Sequence, residues 1–179
     1  EVLKSLEILT SDWGFAMSPR RITVSTIGIL PGIQEFLDKS ECHLAISLHT
    51  PFEDERKRLM PIQNVYPVKE LLDEVKKYDW NHQRRISFEY IMFKDLNDSE
   101  RHIKGLLSLL HGIKCRINLI RFHPIPDAPF QSTDNRLIEA FKDTLNKKGI
   151  TTTVRRSRGQ DIYAACGLLS TKEQLKPKI

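Results

Sequence analysis

The residues most able to do chemistry lie near the end of the chain, in "TTTVRRSRGQDIYAACGLL", residues 151–169. Here Cys166 follows Arg155, Arg156 and Arg158 by eight to eleven residues. A thiol attacks as its thiolate, and neighbouring guanidinium charge favours that form, so Cys166 is a candidate nucleophile if the fold brings the arginines close. The competing reading is a small buried hydrophobe at a helix end. A second set of polar residues closes or interrupts apolar runs: Ser25, Thr26 and Gly28 after "ITV", Ser47 and His49 after "LAI", Glu89 within "ISFEYIMF", and His123 with Pro124 after "NLIRF". Hydrogen-bonding groups at the ends of parallel strands can line one ligand pocket. Taken singly, Thr26 and Ser47 could instead satisfy strand-end backbone groups, and His49 and His123 could be ordinary loop histidines.

What is absent narrows the chemistry. The sequence holds no GxSxG elbow, no evident carboxylate pair, no glycine-rich phosphate loop and no dinucleotide fingerprint. Cysteines at 42, 115 and 166 are odd in number and widely spaced, which makes neither a disulfide framework nor a zinc site. Cys42 and Cys115, in or beside apolar runs, read as core packing. Any reaction must borrow a cofactor or another segment.

The elements that must position these groups alternate. "RRITVSTIG" (20–28), "HLAISLHT" (43–50), "RISFEYIMF" (85–93), "CRINLIRF" (115–122) and "TTTVRRS" (151–157) are β-branched or aromatic runs bounded by turn residues. Between them "LPGIQEFLDKS", "VKELLDEVKKY", "SERHIKGLLSLLHG" and "TDNRLIEAFKDTLNKKG" space apolar residues as helices do, with Leu71, Leu72 and Val75, and Leu106, Leu109 and Leu110, as buried stripes. Ser99 and Gly149 mark a helix start and a helix stop. The opening "EVLKSLEILTSDWGFAMSP" reads as a helix and a long loop with no strand before it. This βαβαβαβαβ order predicts an α/β fold with a parallel sheet, as a barrel or as an open doubly wound sheet.

The chain has 179 residues, enough for one domain with a substantial core, and a net charge of +5. Residues 147–179 carry eight basic and two acidic side chains, so the basic excess sits in the tail and suggests either a polyanionic partner or a solvated lysine-rich terminus. No apolar run approaches the ~18 residues of a membrane helix, and the N-terminus has no signal-peptide pattern, so the reading is cytoplasmic.

In order and spacing, "RRITVSTIG", "LAISLHTP", "RLMPI", "ISFEYIMFKDLNDS", "INLIRFHPIPDAPF" and "TTVRRSRGQDIYAACGLL" resemble the C-terminal half of the RlmN/Cfr family of radical S-adenosylmethionine RNA methyltransferases, more closely the RlmN branch. The resemblance implies a partial, TIM-like (β/α)6 radical SAM barrel, with residues 1–150 as its later part and 151–179 as a C-terminal strand, a methyl-carrier cysteine segment and a basic tail. It implies methylation of C2 of an adenosine in 23S rRNA and in tRNA. Cys166 would accept a methyl group from one S-adenosylmethionine, and a second, cleaved at a [4Fe-4S] cluster, would generate the radical that activates that methyl. Ser25, and Ser47, Leu48 and His49 of "SLH", match the family's S-adenosylmethionine contacts. His123 stands where the family commonly has asparagine, and either group can donate a hydrogen bond.

Arg155, Arg156 and Arg158 are expected to meet RNA phosphates. The CxxxCxxC cluster loop, the "GE" contact, the acidic base and the second cysteine belong to parts of the family sequence not found here, so the cluster ligands are expected outside this chain, and the chain alone is expected to be inactive. An unfinished sheet edge at "RRITVSTIG" would favour self-association. Two other readings stand beside this one: a non-catalytic RNA-binding α/β module, and a small metabolic enzyme using a phosphorylated ligand, which would require a phosphate loop.

Overall fold

The computed structural model describes residues 1–80, 84–123 and 128–155. Its elements are α1 (Val2–Thr10), β1 (Thr23–Thr26), α2 (Leu30–Lys39), β2 (His43–Ser47), α3 (Glu53–Leu59), α4 (Val68–Val75), β3 (Ile86–Met92), α5 (Glu100–Leu109), β4 (Cys115–Arg121), α6 (Asn135–Lys147) and β5 (Thr151–Arg155). Short 3-10 turns cover Pro19–Arg21 and Pro61–Asn64. The five strands form one sheet in the order β1-β2-β3-β4-β5, with every neighbouring pair parallel. A doubly wound sheet reverses its strand order at a switch point, whereas strictly sequential order is the arc of a barrel. Of the two architectures left open by the alternation, the fold is therefore the barrel type.

Side-chain alternation divides the sheet into two unlike faces. Leu44, Ile46, Ile86, Phe88, Tyr90, Met92, Ile117 and Leu119 share one face, and all are buried in a core with Ile33, Phe36, Leu71, Val75, Leu106, Ile138, Phe141 and Leu145 from the helices. The rings of Tyr90 and Phe141 meet at 5.8 Å between centroids. Each buried aliphatic or aromatic side chain stabilises this layer by roughly 1.5–3 kcal/mol. The other face is polar. Its rows run across the strands by register: Ser25, Ala45, Ser87, Arg116 and Thr151 in one, then Ser47, Glu89, Asn118 and Thr153 in the next.

Two strand candidates shorten at both ends, 20–28 to Thr23–Thr26 and 85–93 to Ile86–Met92, while 43–50 and 115–122 shorten only at their C-terminal ends, and the four residues of β1 alternate exposed with half-buried because among the described residues it pairs on one side only. Leu109 is only half-buried, and the stripe of α5 is completed by His102 and Ile103 instead. Gly149 ends α6 with φ +95°, a conformation that favours glycine. Ser99 does precede α5, but its hydroxyl turns to the His102 ring (2.7 Å) rather than to a backbone N–H. Helix α3 has no counterpart among the sequence-predicted helices. Its sequence "EDERKRL" has no apolar stripe, and it folds because acidic residues fill its first turn, basic residues its last, and Arg56 is buried. Among the described residues no helix is long and apolar enough to cross a membrane.

Candidate functional site at the strand ends

The polar row at the C-terminal side of the sheet is hydrogen-bonded from Thr153 through Asn118 to Glu89. Thr153 Oγ1 donates to Asn118 Oδ1 (2.9 Å), and Asn118 Nδ2 donates to Glu89 Oε1 (3.0 Å). Ser47 is the register partner of Glu89 on the other side. Ser25 lies on the same face, one pleat lower on the adjacent strand, and is exposed. The row beneath holds Ser25, the buried Ala45 and Ser87, and Arg116 below Asn118. Arg155 is exposed on this face, beside Ile120. Five of these groups, Ser25, Ser47, Glu89, Asn118 and Thr153, can accept or donate a hydrogen bond toward one ligand.

Two histidines bracket β2, and both do the same backbone work. His43 Nδ1 accepts from the Arg85 N–H (3.1 Å), and His49 Nδ1 accepts from the Ile91 N–H (3.0 Å), so each imidazole replaces a carbonyl where the β2–β3 ladder stops. Because His49 Nδ1 is an acceptor, its proton sits on Nε2, which leaves that nitrogen as a donor. His49 also adopts φ +60°, the left-handed region that non-glycine residues seldom enter. Asn97 holds it there. The fully buried Asn97 donates from Nδ2 to the carbonyls of His49 and Ile91 (2.7 Å each) and accepts at Oδ1 from the Phe93 N–H (2.7 Å). The Tyr90 hydroxyl donates to the Asn97 carbonyl at 2.7 Å.

Burial, reinforced by the charge of Arg56, draws the His49 pKa down to about 4. The folded chain therefore keeps His49 neutral where the unfolded chain would protonate it. That preference stabilises the fold above pH 6.5 and is lost as pH falls from 6.5 toward 4. Urea unfolding at pH 7 and pH 4.5 should show about 2–3 kcal/mol more acid loss in wild type than in His49→Gln, which keeps an acceptor but does not titrate. Equal losses in the two proteins would contradict the assignment.

Not every sequence-predicted residue joins the site. Leu48 is fully buried with its side chain in the apolar core, so any ligand contact it makes is through its backbone. His123 is half-buried two residues beyond β4, with its pKa lowered by burial and by Arg121. Arg156, Arg158 and Cys166 lie outside the described residues. Cys42 is buried, and burial pushes the half-buried Cys115 thiol up to about 12, which leaves it inert as a nucleophile. Among the described residues no three His, Cys, Asp or Glu side chains converge as a metal site.

Three residues escape a reading of the sequence. Asn118 and Thr153 are hidden because only register sets Asn118 beside Glu89 and Thr153 beside Asn118. Asn97 sits in a turn where asparagine is unremarkable, and although "KDLNDS" belongs to the resemblance, nothing in its spacing reveals a buried amide.

Known proteins match the chain over nearly its whole length. No family model matches it. It is 55% identical over 175 residues, 98% of its own length and 51% of the relative's, to the probable dual-specificity RNA methyltransferase RlmN of Parabacteroides distasonis. Against the protein of the same name from Bacillus subtilis it is 44% identical over 175 residues, 97% of this chain and 48% of that one. The crystal structure of a radical SAM methyltransferase from Sphaerobacter thermophilus matches with a TM-score of 0.87 and 39% identity, over 93% of this chain and 49% of that chain. The chain thus spans about half the length of the curated relatives it matches. With such identity over nearly its whole length, and with the barrel-type sheet it shares with a radical SAM methyltransferase, the chain is homologous to one half of the RlmN proteins.

Proposed function

We propose that this chain forms part of a radical S-adenosylmethionine RNA methyltransferase that modifies adenine C2 in 23S rRNA and in tRNA. The supporting observation is the register that sets Ser25 and Ser47 on one polar face, with the Nε2 donor of His49 held at its rim. S-adenosylmethionine has a carboxylate that needs donors and an ammonium, a ribose and an adenine that need acceptors. The residues of this face fit such a molecule: His49 and the serine hydroxyls can donate, and Glu89 and Asn118 can accept. When bound, it supplies the methyl carbon and the radical chemistry. Neutral His49 would orient its polar end without adding a second positive charge. Cys166 would carry the methyl group, and Arg155, Arg156 and Arg158 would engage RNA phosphates. The cluster ligands would come from the portion of the relatives that this chain does not match.

A chimera tests the reading. This chain replaces the matching half of the Parabacteroides distasonis relative, and the purified protein is reconstituted anaerobically with iron and sulfide. It should bind S-adenosylmethionine and place a methyl group on adenine C2 of a ribosomal RNA fragment. A chimera that folds, carries its cluster and binds RNA without transferring methyl would favour the RNA-binding module instead.

A further inference from the structure

Arg56 is fully buried on the short helix α3, within a run of charges that would ordinarily be solvated surface. Its guanidinium makes three hydrogen bonds, all to neutral acceptors. Nη1 donates to Gln63 Oε1 (2.6 Å), and Nη2 donates to the carbonyls of Ser47 (3.0 Å) and Ile27 (3.2 Å). Ile27 follows β1, and Ser47 ends β2. One planar cation therefore ties together the ends of the two strands that carry Ser25 and Ser47. Space around it is fully used: at Gly28, with φ +106°, an added Cβ would lie 2.7 Å from Leu71 Cδ1 and 3.5 Å from Arg56 Nη2. Gln63 in turn accepts from the Val68 N–H (3.0 Å), which fixes the acceptor from the far side.

A buried cation without a carboxylate is costly, and burial lowers the Arg56 pKa to about 10. Packing alone would be served better by methionine or leucine. What the charge does is act on its neighbour: among the described residues it is the charge that bears on the His49 imidazole, which it disfavours from taking a second proton. Because an arginine fork matches several acceptors at once, lysine cannot reproduce the three-way tie.

We propose that Arg56 is a positioning residue, which joins the ends of β1 and β2 and holds His49 as a neutral Nε2–H donor toward the ligand carboxylate. The ligand half of this statement rests on the methyltransferase reading above, while the His49 half stands on this chain alone.

Two variants test it. Gln63→Glu is isosteric and keeps both hydrogen bonds, but it sets an anion against Arg56 and cancels its field. Ring-nitrogen NMR of this chain should show His49 titrating near pH 4 in wild type, and about one pH unit higher in Gln63→Glu. Arg56→Lys keeps the charge and loses the tie. In the chimera its S-adenosylmethionine affinity, measured by anaerobic calorimetry, should fall about tenfold, with the His49 midpoint shifted by less than in Gln63→Glu. An unmoved His49 in Gln63→Glu, or undiminished affinity in Arg56→Lys, overturns the proposal. If Arg56→Lys does not fold, Gln63→Glu still decides the His49 half. If the wild-type chimera itself binds no S-adenosylmethionine while His49 shifts as stated, the methyltransferase reading fails and the electrostatic role of Arg56 stands.

Discussion

Alanine at position 97 is expected to lower unfolding stability by about 3–5 kcal/mol, a large share of what a domain of this size possesses. The Asn97 side chain is fully buried, and its removal strands the Phe93 N–H and the carbonyls of His49 and Ile91 together. Each buried group left without a partner costs about 1–3 kcal/mol, and entry of a water would recover part of that. The loss also releases His49 from its left-handed backbone conformation, so the defect is not confined to stability. Urea titration should show an early midpoint, and the His49 ring signals should broaden or move. Asn97→Asp should be destabilised too, since it keeps the acceptor for Phe93 but replaces Nδ2, with its two donated hydrogens, by one oxygen facing both carbonyls. A loss below about 1 kcal/mol in Asn97→Ala would show that the amide does not bridge the ends of β2 and β3.

The second large effect concerns the proposed methyl carrier. In the chimera, Cys166→Ala is expected to reduce RNA methylation by about 10³-fold or more, because removing a covalent nucleophile removes the route rather than slowing a step. Binding of S-adenosylmethionine should be retained, and mass spectrometry of the unsubstituted chimera should locate a methylated peptide containing Cys166. The two other cysteines provide an internal control. Cys42 is buried away from any incoming substrate, and the Cys115 thiol is pushed up to about 12 by burial, so Cys115 offers no thiolate near neutral pH. A methyl group on either of them, or undiminished methylation in Cys166→Ala, would refute the carrier assignment.

The parallel α/β character of this protein is written in local pattern. The period-two runs of Val24, Ile46, Phe88, Ile117 and Val154, separated by helices of 3.6-residue period, specify strands, helices and their order without any long-range information. The motifs that mark the family are equally local, since Ser47, Leu48 and His49 are contiguous. Nothing local distinguishes a sequential sheet from a doubly wound one, because that choice depends on which strands become neighbours, and the observed order decided for the barrel arc. Register made the difference between Leu48 and Ser47, adjacent in sequence but directed to opposite faces, one into the core and one onto the polar row. The same register brought Asn118, far away along the chain, to Glu89, and Thr153 to Asn118.

Arg56 is the clearest case. In "EDERKRL" it is one of six charged residues in seven, and composition assigns all of them to solvent. Only the fold supplies the Ile27 and Ser47 carbonyls and the Gln63 amide that let a guanidinium be buried. Local pattern is enough for the elements, their alternation and the family. Burial, register and the partners of each polar atom required the folded chain, because a hydrogen bond between residues 29 positions apart has no signature in either neighbourhood.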